Sequence, residues 1–305
     1  MNARNQRGVA LLVALLVVAL ATLLIATLLD RGQLATARTR NVMRGQQASA
    51  YARGLEAYAA EVLVRDENGF DNHDDIWSMP MPPTPVPGGL IGATMIDLDG
   101  CFNVNNLLSE DGKPQTLWVS RFRRLLLALD LSPAIADTVT DWLDMDVSAQ
   151  PAGAEDGVYL AHSPPYRAAN RSFTDASELR LVAGINAEAW QKLAPYVCAL
   201  PTTTNLNLNT ATVPVLMTLA DGVTAQIAER LYRDGHARWR NVDEFANELQ
   251  SAGISLGPDN RRDLGVESEY FLASAEIRLD GIRFRYRSLL QRRAGIRVLS
   301  REQIE

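Results

Sequence analysis

The chain is apolar without interruption from Val9 to Leu29, where Thr22 and Thr27 are the only polar side chains. A helix of that length rises through about 30 Å, the thickness of a bilayer core. Beyond Asp30 the pattern turns amphipathic. Leu34, Ala37, Ala48, Tyr51, Leu55, Tyr58, Val62 and Leu63 recur at helical spacing between arginines and glutamines, and no proline occurs before Pro80. The pattern predicts one helix from Val9 to about Val64, roughly 80 Å long. Gly32, Gly45 and Gly54 are the places where it could bend. Residues 66–93 read as a loop: DENGFDNHDD is acidic and turn-rich, and PMPPTPVPGG is short of backbone donors.

Two later segments carry strand patterns. In ATMIDLDG, Met95, Asp97 and Asp99 alternate with Ile96 and Leu98, and Asp99-Gly100 signals a turn. In FLASAEIRLDGIRFRYRSLLQR, Phe271, Ala273, Ala275, Ile277 and Leu279 share one face. After Asp280-Gly281, Ile282, Phe284 and Tyr286 alternate with Arg283, Arg285 and Arg287. Strict alternation across an Asp-Gly pair predicts a hairpin with its apolar face on the long helix and its arginine face in solvent. IRVLSREQ supplies one further strand. Between these segments the pattern is helical, in short runs each with Ser, Thr, Asp or Asn near its start. LALDLSPAIADTV, RLVAGINAEAW and TLADGVTAQIAERL each read as helix, tight turn, helix.

Composition narrows the function classes. Thirty basic residues stand against thirty-six acidic ones, a net charge of −6. TLADGVTAQIAERL has the outline of a helix-hairpin-helix, but residues 205–250 are net acidic, which repels a phosphate backbone; no nucleic acid is expected as partner. His73, His162 and His236 are isolated, and no nucleophile elbow, zinc-protease motif or phosphate-binding loop occurs, so no enzyme activity is expected. His73 among its acidic neighbours reads as part of a solvated loop rather than a metal ligand. Cys101 and Cys198 are the only cysteines; an oxidising compartment allows them to pair, and buried free thiols fit equally. The candidate chemistry is DWLDMDVSAQPAGAEDGVY. Asp141, Asp144 and Asp146 lie close together, and Glu155 and Asp156 follow a Pro-Gly turn. Such carboxylates repel unless solvent or a cation neutralises them. Calcium is bound by six to eight oxygens from flexible loops, although the EF-hand spacing is absent.

The N-terminus supplies the first sign of a family. Arg4 and Arg7 precede a sharp junction, Gly8-Val9, and hold that end in the cytoplasm. The apolar run ends LLDRGQL, a poor signal-peptidase site. A basic leader ending in glycine, a long apolar helix and a globular end together resemble a type IV pilin or pseudopilin. Most such proteins carry glutamate at the fifth residue after the cut, where this chain has Val13. The K subunit of the type II secretion pseudopilus is the subfamily that lacks it. DLDGCFNVNNLL is similar to the K segment D-x-x-G-R-F-N-L-N, with Cys101 in the place of arginine, and NLNTA and DWLD…GAED match further K elements.

The resemblance implies an α+β fold: a pilin-like long N-terminal helix packed on a small antiparallel sheet, with a large all-helical insertion. It divides the chain into a leader (1–8), an anchor and spine (9–65), pseudopilin loop and strands (66–108 and 265–305) and an inserted helical domain (109–264). It further implies cleavage by the prepilin peptidase between Gly8 and Val9, and a helical domain stabilised by calcium. The chain would be a single-pass inner-membrane protein with most of its mass in the periplasm. Its partners would be the I and J minor pseudopilins, the major pseudopilin and secreted substrates, with a role at the pseudopilus tip and in starting assembly. The alternative is a bitopic membrane protein whose helical domain binds a soluble partner and never polymerises.

Overall fold

A computed structural model describes residues 3–201 and 204–304, with side chains from Val9 onward. The expected leader, residues 1–8, lies outside the residues whose side chains are described. The first element, α1 (Ala3–Val64), is one helix of 62 residues, continuous through Gly32, Gly45 and Gly54 and ending where the pattern predicts. β1 (Met81–Val86), β2 (Gly89–Asp97) and β3 (Phe102–Asn103) follow. Next come α2 (Thr116–Ala128), α3 (Ile135–Leu143), α4 (Asp156–Tyr159), α5 (Ala187–Leu193) and β4 (Val197–Cys198). β5 (Leu206–Asn207), α6 (Val213–Leu216), α7 (Ala225–Tyr232), α8 (Val242–Ser251), α9 (Pro258–Arg261) and β6 (Leu264–Gly265) complete the helical stretch. β7 (Tyr270–Leu279), β8 (Ile282–Arg292) and β9 (Ile296–Ile304) end the chain. The fold is α+β and pilin-like, with a helical insertion between β2 and β7.

The main sheet has the order β1-β2-β7-β8-β9, every pair antiparallel. The hairpin is as expected: Leu279 pairs with Ile282 around Asp280 and Gly281, both at positive φ (46° and 85°), the geometry of a tight turn that fits strand twist. One face of this sheet receives α1. Ala48, Ala52, Leu55, Ala59 and Leu63 form a buried stripe at helical spacing. They meet Ala275, Ile277, Leu279 and Tyr286 at one end, and Phe271, Ala273 and Leu290 at the other. The alanines let the helix axis come close to the strands. Leu34 and Tyr58, expected on the packed face, are exposed: the first lies beyond the sheet and the second off the stripe.

Polar contacts fix the same register. Arg44 donates to Asp280 in the hairpin turn at 2.8 Å, and Tyr51 donates to the Pro87 carbonyl at 3.1 Å. Glu56, buried between helix and sheet, accepts from Ser288 on β8 and from the Arg301 guanidinium on β9.

Residues 81–97 correct the expectation of a loop through residue 93. β1 contains Pro82, Pro83 and Pro85, yet pairs Thr84 with Ile91 and Val86 with Gly89. It lies at the sheet edge, where residues without an N–H lose no ladder bond on the open side, and a bulge between Met81 and Thr84 absorbs the irregularity.

The helical stretch has its own core, running from Phe102 to Val266 and containing no residue of α1. Its turns repeat one device, a residue at positive φ between successive helical segments: Asp130 (54°), Gly184 (87°) and Gly222 (87°). FNVNNL enters this core as a hydrogen-bonded staple. Asn105, buried, donates to the carbonyls of Leu200 (2.7 Å) and Phe173 (3.0 Å) and accepts from Phe173 N–H (2.8 Å). Asn209 likewise clamps both backbone groups of Trp239. Cys101 and Cys198, which the sequence leaves open between bridge and free thiols, are joined by a disulfide with Cα atoms 5.9 Å apart, beside the short β3–β4 pair.

Candidate metal centre

α3 is buried at every position from Ile135 to Leu143, so the chain leaves it at Asp144 from inside the core. Trp142 wedges edge-on against Tyr159, with centroids 4.9 Å apart, which ties the end of α3 to α4. The loop between them is hung on acidic side chains. Asp137 accepts from Arg123 at 2.6 Å and from Ala152 N–H at 3.2 Å, and Asp141, wholly buried, accepts Gln150 N–H at 3.1 Å. Gly153 passes so close to Asp141 that a Cβ there would lie 1.8 Å from its Oδ2. The loop therefore folds back and delivers Glu155 to the end of α3.

Asp144, Asp146 and Glu155 converge there, each with a carboxylate oxygen within 4.8 Å of the others. Asp144 Oδ1 and Glu155 Oε1 are buried without a hydrogen-bond partner. Burial, reinforced by Asp146, Asp141 and Glu155, pushes the Asp144 carboxyl up to about 7. Burial and neighbouring carboxylates also raise Glu155. Two oxygens ligating one calcium at ~2.4 Å lie at most ~4.8 Å apart, so the three acids fit a hard divalent ion that would satisfy both orphaned oxygens.

The other two sequence candidates take different places. Asp141 stands one layer behind, close enough to act on Asp144 electrostatically while holding the loop. Asp156 turns outward, accepting from Arg167 and from Ala168 N–H, each at 3.0 Å. Gly153, within the acidic run, and Asp137, one turn before it, both shape the loop, and neither is singled out by the sequence pattern. His73 belongs to neither cluster of potential ligands among the described residues.

Residues 100–202 and 206–267 match the family described as type II secretion system (T2SS), protein K. A type II secretion system protein K from Pseudomonas aeruginosa is 38% identical over 98% of this chain and 93% of its own length. The chain belongs to the type II secretion system protein K family. Another K-family relative, from Klebsiella pneumoniae, is 34% identical over 96% of this chain and 94% of its own. Among solved structures, a chain of the GspK-GspI-GspJ complex from enterotoxigenic Escherichia coli superposes with a TM-score of 0.76 at 30% identity. The match covers 88% of this K-family chain and 99% of that one. The acidic loop from Asp141 to Asp156 thus lies in the first of the two family-matched segments, and the Trp239 clamp lies in the second.

Proposed function

We propose that this K-family chain is a minor pseudopilin that caps the periplasmic tip of a type II secretion pseudopilus and helps initiate its assembly for protein export across the outer membrane. The observation that carries the reading is the division of the molecule along α1. From Val9 to Leu29 the helix is exposed and apolar; it is the one helix among the described residues long and apolar enough to cross a membrane. The sheet takes up only its last third, and the helical body, with a core independent of α1, joins beyond its C-terminal end. A mass of that size above the spine suits the end of a filament, where no further subunit must stack.

Val13 adds a second support. In a bundle of staggered apolar helices each mature N-terminal ammonium needs a counter-charge, because an unpaired buried charge costs several kcal/mol. The glutamate usual in pilins supplies it; a subunit with Val13 does without, which is harmless where no older subunit lies ahead. The leader is cut between Gly8 and Val9 by the prepilin peptidase, and the new N-terminus is methylated. The chain is anchored once in the inner membrane, has no catalytic role, and meets I and J minor pseudopilins at the tip and the major pseudopilin below. The residues from 109 to 264 act as an inserted helical domain, held in shape by calcium on Asp144, Asp146 and Glu155, with Asp141 and Asp156 bracing the loop. The cation supplies charge neutralisation there and no chemistry.

Cysteines placed on the helical body, for example Val158→Cys, test the position in cells assembling pseudopili. Cross-links to minor pseudopilins and to secreted proteins are expected. Abundant cross-links from that face to the major subunit along the shaft would place the chain within the filament and overturn the reading.

A further inference from the structure

The turn after α1 holds a second set of acids, away from the helical body's loop. Asp66, Asp71 and Asp75 each direct a carboxylate oxygen to within 4.8 Å of the others. The side chains of Asp66 and Asp71 are only 6% and 1% exposed. Asp71 Oδ2 is fully engaged, accepting from Ser268 N–H at 2.6 Å and from the Arg292 guanidinium. Its other oxygen, Oδ1, is buried and has no partner. Arg292 also reaches Asp66, at 3.3 Å. With all three ionised, the carboxylates would outnumber this one guanidinium by two charges, and the buried Oδ1 of Asp71 faces a missing donor or cation.

We infer that Asp66, Asp71 and Asp75 form a separate binding site for a hard divalent cation that fastens the end of the spine helix to the start of β7. Oxygens spaced within 4.8 Å suit ligands shared by one ion at ~2.4 Å, and an ion of charge +2 balances the residual charge. Asp75 is held in place by Asn68 Nδ2 (2.9 Å) and by Asn72 N–H (2.7 Å), which leaves further lone pairs on its oxygens. The site opens on a cleft of about 470 Å³ lined by Asp66, Asp71, Glu67 and Glu269, wide enough for water to complete the six to eight oxygens calcium takes. Asp71 N–H donates to the Val266 carbonyl at 2.7 Å, and Asp71 pairs with Arg292 on β8, so an ion on these acids would brace the residue that already ties the turn after α1 to the entry of β7 and the end of β8.

The test is calcium stoichiometry of the full chain in detergent, by equilibrium dialysis over about 0.01–5 mM, the range of extracellular oxygen sites. Asp66→Asn keeps the Arg292–Asp71 pair and should stay folded by near-ultraviolet circular dichroism while binding one calcium fewer than the parent. Asp75→Asn should raise the dissociation constant of that ion at least tenfold. Asp144→Asn with Glu155→Gln should remove only the helical body's calcium and leave this one. Folded Asp66→Asn and Asp75→Asn chains that bind the parent's number of ions with unchanged affinity overturn the junction site. A loss confined to the Asp144/Glu155 variant would do so too, while leaving the calcium reading of the helical body intact.

Discussion

Asp144 illustrates how little a residue's type says without its surroundings. Four acids in the same run differ in kind: Asp141 is a loop hanger, Asp144 and Glu155 carry orphaned oxygens, and Asp156 belongs to an ion pair with Arg167. Their clustering was legible from spacing. Which of them converge was not, because it depends on the reversal at Gln150–Gly153 that brings Glu155 back to the end of α3. The junction acids were less legible still: residues 66, 71 and 75 share no helical or strand period, and only the fold gathers them around Arg292. If Asp144 and Glu155 hold calcium, the folded chain should gain RT ln(1 + [L]/Kd), about 2.7 kcal/mol at a hundredfold excess over Kd. That corresponds to a rise in melting midpoint of roughly 5–10 °C. The Asp144→Asn variant should lose most of this calcium response, and Asp156→Ala much less. Equal midpoints with calcium and with chelator in the parent chain would return the cluster to a solvated acidic loop.

At the scale of elements, the β7–β8 hairpin could be read directly, because a strict period of two across Asp280-Gly281 admits few other structures. β1 could not, since three prolines mimic a breaker until the strand is seen at an open edge. Long-range fastening was also invisible in the sequence, and the Glu56 latch joining α1 to β8 and β9 is the clearest case. Burial raises the Glu56 carboxyl, but hydrogen bonds from Arg301 and Ser288 and the charge of Arg301 outweigh it, leaving the group below its ordinary value. A carboxylate depressed in the folded state stabilises above the unfolded-state value near 4.5, and that contribution fades as pH falls through the folded value. Glu56→Gln should therefore cost roughly 2–3 kcal/mol at neutral pH, less than a fully buried pair because Arg301 keeps some solvent contact. In urea titrations the gap between variant and parent should narrow below about pH 4. A gap that is constant from pH 7 to pH 3 would mean that packing, not charge, holds the latch.

For the whole molecule, spine, sheet and helical body were each foreseeable as patterns, but their relative placement was not. The helical core excludes α1, and contacts between distant segments join the parts: Asp71 accepts from Ser268 N–H, Asn207 donates to the Asp71 carbonyl, Asp99 accepts from Glu269 and Tyr270 N–H, and Asp74 pairs with Arg238. If the leader is removed between Gly8 and Val9, mass spectrometry of the membrane-extracted chain should find a mature N-terminus at Val9 bearing a methyl group. Met1 retained in the working protein would exclude processing. The exposed first half of α1 has a mechanical meaning too. From Val9 to Val64 the helix has 56 residues, a rod of about 84 Å gripped by its own chain only near one end. Transmembrane helices commonly tilt by about 20°, and a rod of this length would turn such a tilt into a sideways swing of about 30 Å at its far end. If the apolar segment spans the bilayer as proposed, it is the short arm of a lever: small rotations there would become large excursions of the head, and any neighbouring helices that clamp the rod would decide where the head points.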